Sequence, residues 1–266
     1  MRALVSAHSS APVAHQATDR QLTLAASNDD AARDALKLVP ATALLQRQAA
    51  GALPKLEAPR ALSEILVAEP QDGAASAFAW AMAQALSPER PLIVWVQDQM
   101  TMLETGRPYV PGLCDTVLGN DVARRFLLIA TKAGQDMLWA MEEVLLSGAA
   151  SAVIGEIWGL PKALNFTATK RLQRAAQIGK TPCLLTRYGR EKPASGAHER
   201  WHVTSRASGP HPQNSEAPGR PAWALDLFKA RTRQPSLWTV EYDKQSHHLH
   251  LAAALADGPV FKSAAS

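Results

Sequence analysis

Residues 63–76 read Ser63-Glu64-Ile65-Leu66-Val67-Ala68-Glu69-Pro70-Gln71-Asp72-Gly73-Ala74-Ala75-Ser76, and their order decides the fold. A short apolar run, Ile65 to Ala68, enters a turn of Glu69, Pro70, Gln71, Asp72 and Gly73. An apolar helix then opens, Ala74 to Leu86, with Phe78, Trp80 and Met82 along it. Strand, turn and helix in that order form the setting of a phosphate-binding loop, in which turn amides and the helix N-terminus hold phosphate oxygens. Nucleotide chemistry also needs a lysine after the glycine and a hydroxyl on the next residue. Ala74 and Ala75 stand there instead, after Gly73. Alanine neither neutralises a phosphate nor coordinates Mg²⁺, so the sequence predicts the cradle without its reaction, and no nucleotide cofactor.

The chain has 266 residues, enough for one large domain with extensions and a sizeable core. An apolar fraction of 47% is globular, while 18 prolines and 20% charged residues leave room for irregular segments. A net charge of +4 argues against strong polyanion binding by bulk charge. The cations nevertheless bunch, at Lys170, Arg171, Arg174, Lys180, Arg187, Arg190 and Lys192, then at Arg220, Lys229, Arg231 and Arg233. Such bunching serves nucleic acid, an acidic partner or a solvated face. Cys114 and Cys183 have no metal-ligand spacing, and Cys183 within Pro182-Cys183-Leu184-Leu185 reads as a reduced core thiol. The first residues lack the apolar core of a signal peptide, and no run approaches the roughly 20 apolar residues of a membrane span. A cytoplasmic protein is expected, with no membrane partner and nucleoid association left open.

Four segments follow from the pattern along the chain. Residues 1–26 read as a mobile arm. Residues 27–57 read as a helical extension capped near Asn28 or Asp29 and interrupted at Pro40. The core covers 58–254, and 255–266 form a flexible tail. Within the core, strand Leu92–Val96 leads into a long connection through Gly119. Strand Phe126–Ala130 precedes helix Gln135–Leu146. Strand Ala152–Ile154 precedes a loop and helix Thr167–Ile178, and strand Cys183–Thr186 closes the series. Near-continuously apolar strands separated by amphipathic helices predict an α/β fold, a mostly parallel sheet with helices on both faces. After Arg187 the texture changes. Tyr188 to His198 reads as flexible, Trp201–Thr204 as a strand and Ser208–Arg220 as a loop. Trp223–Leu227, Leu237–Tyr242 and His248–Leu251 alternate apolar with polar, the signature of antiparallel C-terminal strands.

This order resembles the core of the bacterial recombinase RecA. In that family a strand after the phosphate loop ends in Asp-Ala-Glu, whose Glu is the general base; here Ile93-Val94-Trp95-Val96 runs into Gln97-Asp98-Gln99, placing Gln99 at the base position. The family's magnesium-linked Asp falls at Gly155, followed by Glu156. Lysine, hydroxyl, base and metal positions are therefore all altered, which together leave no credible ATPase. A narrower resemblance rests on Gly159-Leu160-Pro161-Lys162-Ala163-Leu164-Asn165-Phe166-Thr167-Ala168-Thr169-Lys170-Arg171-Leu172-Gln173-Arg174-Ala175-Ala176, on Gly179-Lys180-Thr181-Pro182-Cys183-Leu184-Leu185, and on Pro221–Leu227 with Trp238–Asp243. In these residues the chain is similar to ImuA, the inducible mutagenesis protein A family, which is RecA-like and related to the division inhibitor SulA. The resemblance covers about residues 58–254. It implies a non-catalytic accessory of SOS-induced translesion synthesis. The implied partners are RecA, the inactive Y-family polymerase homologue ImuB and the error-prone replicative-type polymerase ImuC. A SulA-like division inhibitor and a single-stranded DNA-binding protein are the alternatives.

RecA meets single-stranded DNA through two loops, which correspond here to Trp158–Thr167 and Tyr188–Arg200. Candidate contacts to DNA or a partner are therefore Trp158, Arg187, Tyr188, Arg190 and Lys192, where cations beside an aromatic suit a single strand. On helix Thr167–Ile178, Lys170, Arg171 and Arg174 share one flank that suits DNA, a protein or solvent alone. Asp98 and Glu156 follow neighbouring strand ends, yet two carboxylates are fewer oxygen ligands than a metal ion takes, and no metal is expected. His247, His248 and His250 lack acidic or thiol neighbours in ligand spacing and read as surface residues. The tryptophans read as core, except Trp158 at its loop. Gln21-Leu22-Thr23-Leu24 is a faint match to a sliding-clamp-binding peptide.

Overall fold

The computed structural model describes residues 61–67, 72–85, 92–113, 125–189, 191–244 and 248–252, all within the compact unit Arg47–Ser266. The expected arm 1–26, extension 27–57 and tail 255–266 lie outside the described residues, as do Gln21-Leu22-Thr23-Leu24, Cys114, Arg190 and His247.

The phosphate-loop order is present. Strand β1 (Leu62–Val67) leads to helix α1 (Ala74–Ala85), then β2 (Ile93–Asp98), α2 (Gln99–Thr105) and the short α3 (Val110–Leu113). There follow β3 (Phe126–Thr131), α4 (Gly134–Ser147), β4 (Ala152–Trp158), α5 (Phe166–Gly179) and β5 (Cys183–Tyr188). The remainder is all strand: β6 (Glu199–Arg206), β7 (Pro210–His211), β8 (Asn214–Pro218), β9 (Ala222–Ala230), β10 (Ser236–Asp243) and β11 (His248–Leu251).

One nine-stranded sheet has the order β11-β10-β9-β6-β1-β5-β4-β2-β3. From β6 across to β3 every neighbouring pair is parallel, and β9, β10 and β11 add on antiparallel. The fold class is the expected one. β1, β2 and β5 are buried at every position, because α1 covers one face and α4 with α5 the other, which is why they read as apolar runs. On the α1 face Phe78 meets Trp201 and Trp223 edge-on, with ring centroids 5.6 and 6.0 Å apart, a geometry that adds to area burial. On the opposite face Met137, Met141, Leu145, Leu172 and Ala176 pack on Leu62, Val153 and Leu185. Cys183 is a buried free thiol there, raised far above the ordinary range by burial and then by Glu64.

Three local expectations change. β4 continues past Ile154 to Trp158 and β5 past Thr186 to Tyr188, because Glu156, Arg187 and Tyr188 find polar partners inside the fold. The segment 208–220 contains a small hairpin, β7 with β8. Trp139 lies on the outside of α4, 61% exposed, and is not core. No helix among the described residues is long and apolar enough to cross a membrane.

Candidate functional site

The cleft that a phosphate loop would serve lies where α1 begins, beside β2, β4 and β5. The first free amide of α1, Ala74 N–H, donates to the Asp72 carboxylate at 2.9 Å. The same carboxylate accepts from the Ser205 amide at 2.9 Å and the Ser205 hydroxyl at 2.5 Å. A helix N-terminus attracts anions through orphan N–H groups and a partial positive charge. Here the anion comes from the chain itself and also ties the turn to β6. Gly73 is exposed, whereas Ala74 and Ala75 are buried against the core, without functional groups to reach a phosphate.

Below the turn sits Glu156, 4% exposed. One carboxylate oxygen accepts from Ser76 Oγ at 2.8 Å and from the Tyr188 hydroxyl. The other accepts from Trp95 Nε1 at 3.0 Å and Gln97 Nε2 at 2.7 Å. Ser76 and Tyr188 also share a hydrogen bond of 2.6 Å. An indole, an amide and a hydroxyl pair whose two protons are shared among three contacts hold the buried carboxylate, with no cation among the described residues hydrogen-bonded to it. They also occupy the lone pairs through which it would take a proton from water or hold a cation. Burial, with Glu156 second, pushes the Tyr188 hydroxyl well above its usual range, so it stays a donor. Trp158 stacks on Tyr188 with centroids 5.7 Å apart. The cavity left beside this network measures about 250 Å³, with Trp80, Trp95, Pro108, Leu113 and Tyr188 among its walls. That is below the roughly 300–1,000 Å³ of most small-molecule sites.

The strand pleat corrects how the altered positions are used. Gly155 faces the opposite side of β4, where an added Cβ would come within 2.4 Å of Met141 Sδ. A carboxylate at 155 would enter the apolar layer under α4. The cleft-facing residue is its neighbour Glu156. Likewise Gln99 opens α2 and is exposed, while the amide aimed at Glu156 belongs to Gln97. Asp98 points away from the cleft and caps α2, accepting from the Thr101 amide at 2.8 Å and hydroxyl at 2.5 Å. Asp98 and Glu156 are thus on different sides of the sheet, and no group of three or more acidic, histidine or cysteine side chains among the described residues is placed to hold a metal ion.

The expected contact residues divide. Arg187 and Tyr188 are interior, at 3% and 5% exposure. The sequence pattern puts them on a surface loop as its cation and aromatic; each instead completes a buried network. The following segment is irregular yet anchored, since Ser195 Oγ donates to Glu64 at 2.7 Å and the Gly196 amide to Thr169 Oγ1 at 2.9 Å. Lys192 is exposed over the Phe228 ring at 4.5 Å. Lys170, over Phe166 at 5.7 Å, Arg171 and Arg174 all reach solvent from α5. Arg171 pairs with Glu142 of α4, its Nε 3.2 Å from Oε1. Trp158 is half-buried. His248 and His250 are exposed on β11.

Sequence reasoning missed Glu64, which is fully buried on the α5 face. It accepts from Arg200 Nε at 2.8 Å and lies 3.5 Å from Arg187 Nη1. Burial depresses Arg187 and Glu64 opposes that shift. A second buried acid, Glu199, pairs with Arg233 at 2.7 Å and accepts from Trp201 Nε1 at 3.3 Å. A lone acid inside an apolar strand run, Ser63-Glu64-Ile65, was the available signal for the first of these.

Among known proteins, no family model matches the chain, and no curated protein matches it. A solved structure titled "Crystal structure of SulA from Pseudomonas aeruginosa" is similar at 26% identity, covering 49% of this chain and 100% of that one, with a TM-score of 0.33.

Proposed function

We propose that this chain is a RecA-like binding platform that neither holds nor hydrolyses nucleotide, working as an accessory of SOS-induced mutagenic repair. One observation carries the first half: the chain's own carboxylates line the cleft, Asp72 accepting from the first amide of α1 and Glu156 held below it by buried donors. A triphosphate entering there meets two acids and displaces buried hydrogen bonds, which opposes binding by several kcal/mol. The second half rests on the sequence resemblance to the ImuA family between about residues 58 and 254, with RecA, ImuB and ImuC as the candidate partners. The burial of Arg187 and Tyr188 weighs against their contacting single-stranded DNA at that loop. Isothermal titration with ATP and Mg²⁺ tests the first half, with no heat of binding up to millimolar nucleotide as the expected result. Co-purification of the chain with each candidate partner, with and without single-stranded DNA, tests the second; failure with all of them removes it.

A further inference from the structure

We propose that a cavity at the end of the sheet, beside the β7–β8 hairpin, receives an acidic, extended segment of a protein partner, its carboxylates held by Arg206 and Lys244. This rests on reading the chain as a binding platform, and it names where the platform is used and by what chemistry.

Three strands converge there. β6 ends in Ser205 and Arg206, β9 begins with Ala222 and Trp223, and β10 ends in Tyr242 and Asp243. Since β6 runs parallel to β1, this is the carboxyl end of the parallel strands, the end beyond which open α/β sheets bind ligands. The hairpin is drawn shut at its base. Gly219 N–H donates to the Gly209 carbonyl at 2.9 Å, and a Cβ on Gly219 would come within 2.5 Å of that oxygen. A cavity of about 800 Å³ remains beside it, within the roughly 300–1,000 Å³ of ligand sites. Its lining includes Pro212, Pro218 and Pro221 and the stacked rings of Trp223 and Tyr242, 5.7 Å between centroids. Prolines fix φ and both rings are buried, so the shape exists before an occupant arrives and little ordering cost is left to it.

Charge selects the occupant. The lining carries Arg206, Arg220 and Lys244 against one acid, Asp243, which Arg220 already holds at 3.1 Å. Arg206 and Lys244 are exposed, and neither is in an ion pair among the described residues. His211 accepts the Gln213 amide at 3.2 Å through Nδ1, which puts the proton of its neutral ring on Nε2, as a further donor. Asp72 holds Ser205 from outside the lining. The cavity therefore presents donors and uncommitted cations to whatever enters, and complements carboxylates.

Two observations narrow the class. A nucleic-acid strand bound by its backbone makes about 6–10 phosphate contacts in strong complexes; two uncommitted cations, in a chain of net charge +4, supply too few. An acidic peptide needs only one or two carboxylates met in a shaped site. Moreover, none of the large exposed apolar side chains among the described residues lines the cavity. An amphipathic helix would find no apolar anchor there, whereas an extended acidic segment needs none.

The probe is fluorescein-labelled hexaglutamate, read by anisotropy, with labelled hexalysine and a labelled oligothymidylate as comparators. Hexaglutamate should bind and hexalysine should not, with affinity falling as salt rises. Arg206→Glu combined with Lys244→Glu should weaken hexaglutamate about tenfold or more. Lys170→Glu combined with Arg174→Glu changes net charge equally on α5 and should leave the affinity within about twofold. All four side chains are exposed, so the urea midpoint should hold in both double variants. Absence of hexaglutamate binding overturns the proposal. So does an equal loss in the α5 variant, which would reduce the effect to bulk charge, or tighter oligothymidylate binding that the cavity variant abolishes. Hexaglutamate binding with no candidate partner co-purifying would keep the cavity and remove the named partners. Co-purification without hexaglutamate binding would remove the cavity and keep the platform.

Discussion

Glu156 and Glu64 are two glutamates buried in one sheet, on opposite faces, and the fold treats them in opposite ways. Glu156 lies in the cleft beside α1 and is held by an indole, an amide and two hydroxyls, with no cation among the described residues hydrogen-bonded to it. Glu64 lies under α5 and is held by two guanidinium groups and Ser195. The first arrangement disarms a carboxylate, using donors that withdraw its lone pairs from chemistry. The second uses a carboxylate as a counter-charge, joining β1, β5, β6 and the segment after β5 at one point. On the cleft face neutral donors hold the buried carboxylate, whereas the opposite face is organised by charge.

The largest effect separates the two directly. Glu64→Gln leaves Arg187 and Arg200 buried without a compensating charge, and breaking a buried pair from one side costs about 3–5 kcal/mol. Urea denaturation should show that loss with little change in slope. Glu156→Gln should cost less, about 1–3 kcal/mol, since an amide oxygen replaces one carboxylate oxygen and an NH₂ faces donors. A flip of the Gln97 amide would offer its unpartnered Oε1 to the new NH₂ but would give up the Nε2 bond to the Gly106 carbonyl at 2.9 Å, so it recovers at most part of the loss. If Glu156→Gln destabilises more than Glu64→Gln, the contrast between the faces is wrong.

These two residues also mark how much the sequence discloses. The alternation of apolar strands and amphipathic helices was sufficient for the parallel sheet and its antiparallel extension, because strands buried on both faces must be apolar for most of their length. It ended β4 at Ile154 and β5 at Thr186 because the next residues are Gly155-Glu156 and Arg187-Tyr188. Their partners, Ser76, Trp95 and Glu64, lie far away in sequence, so nothing local announces that those polar groups can be buried. The same blindness placed Arg187 and Tyr188 on a surface loop. The choice between Gly155 and Glu156, and between Gln97 and Gln99, turns on which way a pleat points, and that is set by strand register. Reading Trp139 as core overlooks an available signal: Met137, Leu138, Met141 and Leu145 define the buried stripe of α4, and Trp139 falls off it.

A smaller effect tests whether the inertness proposed for the cleft depends on its mouth. Asp72→Ala removes the acceptor for Ala74 N–H and the link to Ser205, a loss of about 1 kcal/mol, comparable to removing a helix cap. It also frees the helix end for an outside anion. Titration of this variant with inorganic phosphate or ATP should remain silent, because Glu156 still floors the cleft and Ala74 and Ala75 still offer no ligand. Binding that emerges in Asp72→Ala would mean that one carboxylate alone closes a functional cradle.

The smallest effect probes the charged face by pH. His202 shares that face, two residues from Arg200 on β6 and paired in register with Leu66 and Asp226. Burial holds its imidazole below the ordinary histidine value, Lys192 adds to this, and Asp226 and Asp72 oppose it. A base whose folded pKa is depressed favours the native state while neutral. Its contribution is complete above the usual value of about 6.5 and is lost as the pH falls through that value toward the depressed one. The urea midpoint should therefore drop more between pH 7.5 and pH 5.5 for the parent chain than for His202→Gln, which cannot gain the proton. Equal drops would mean that the half-buried imidazole is not held below the ordinary histidine value.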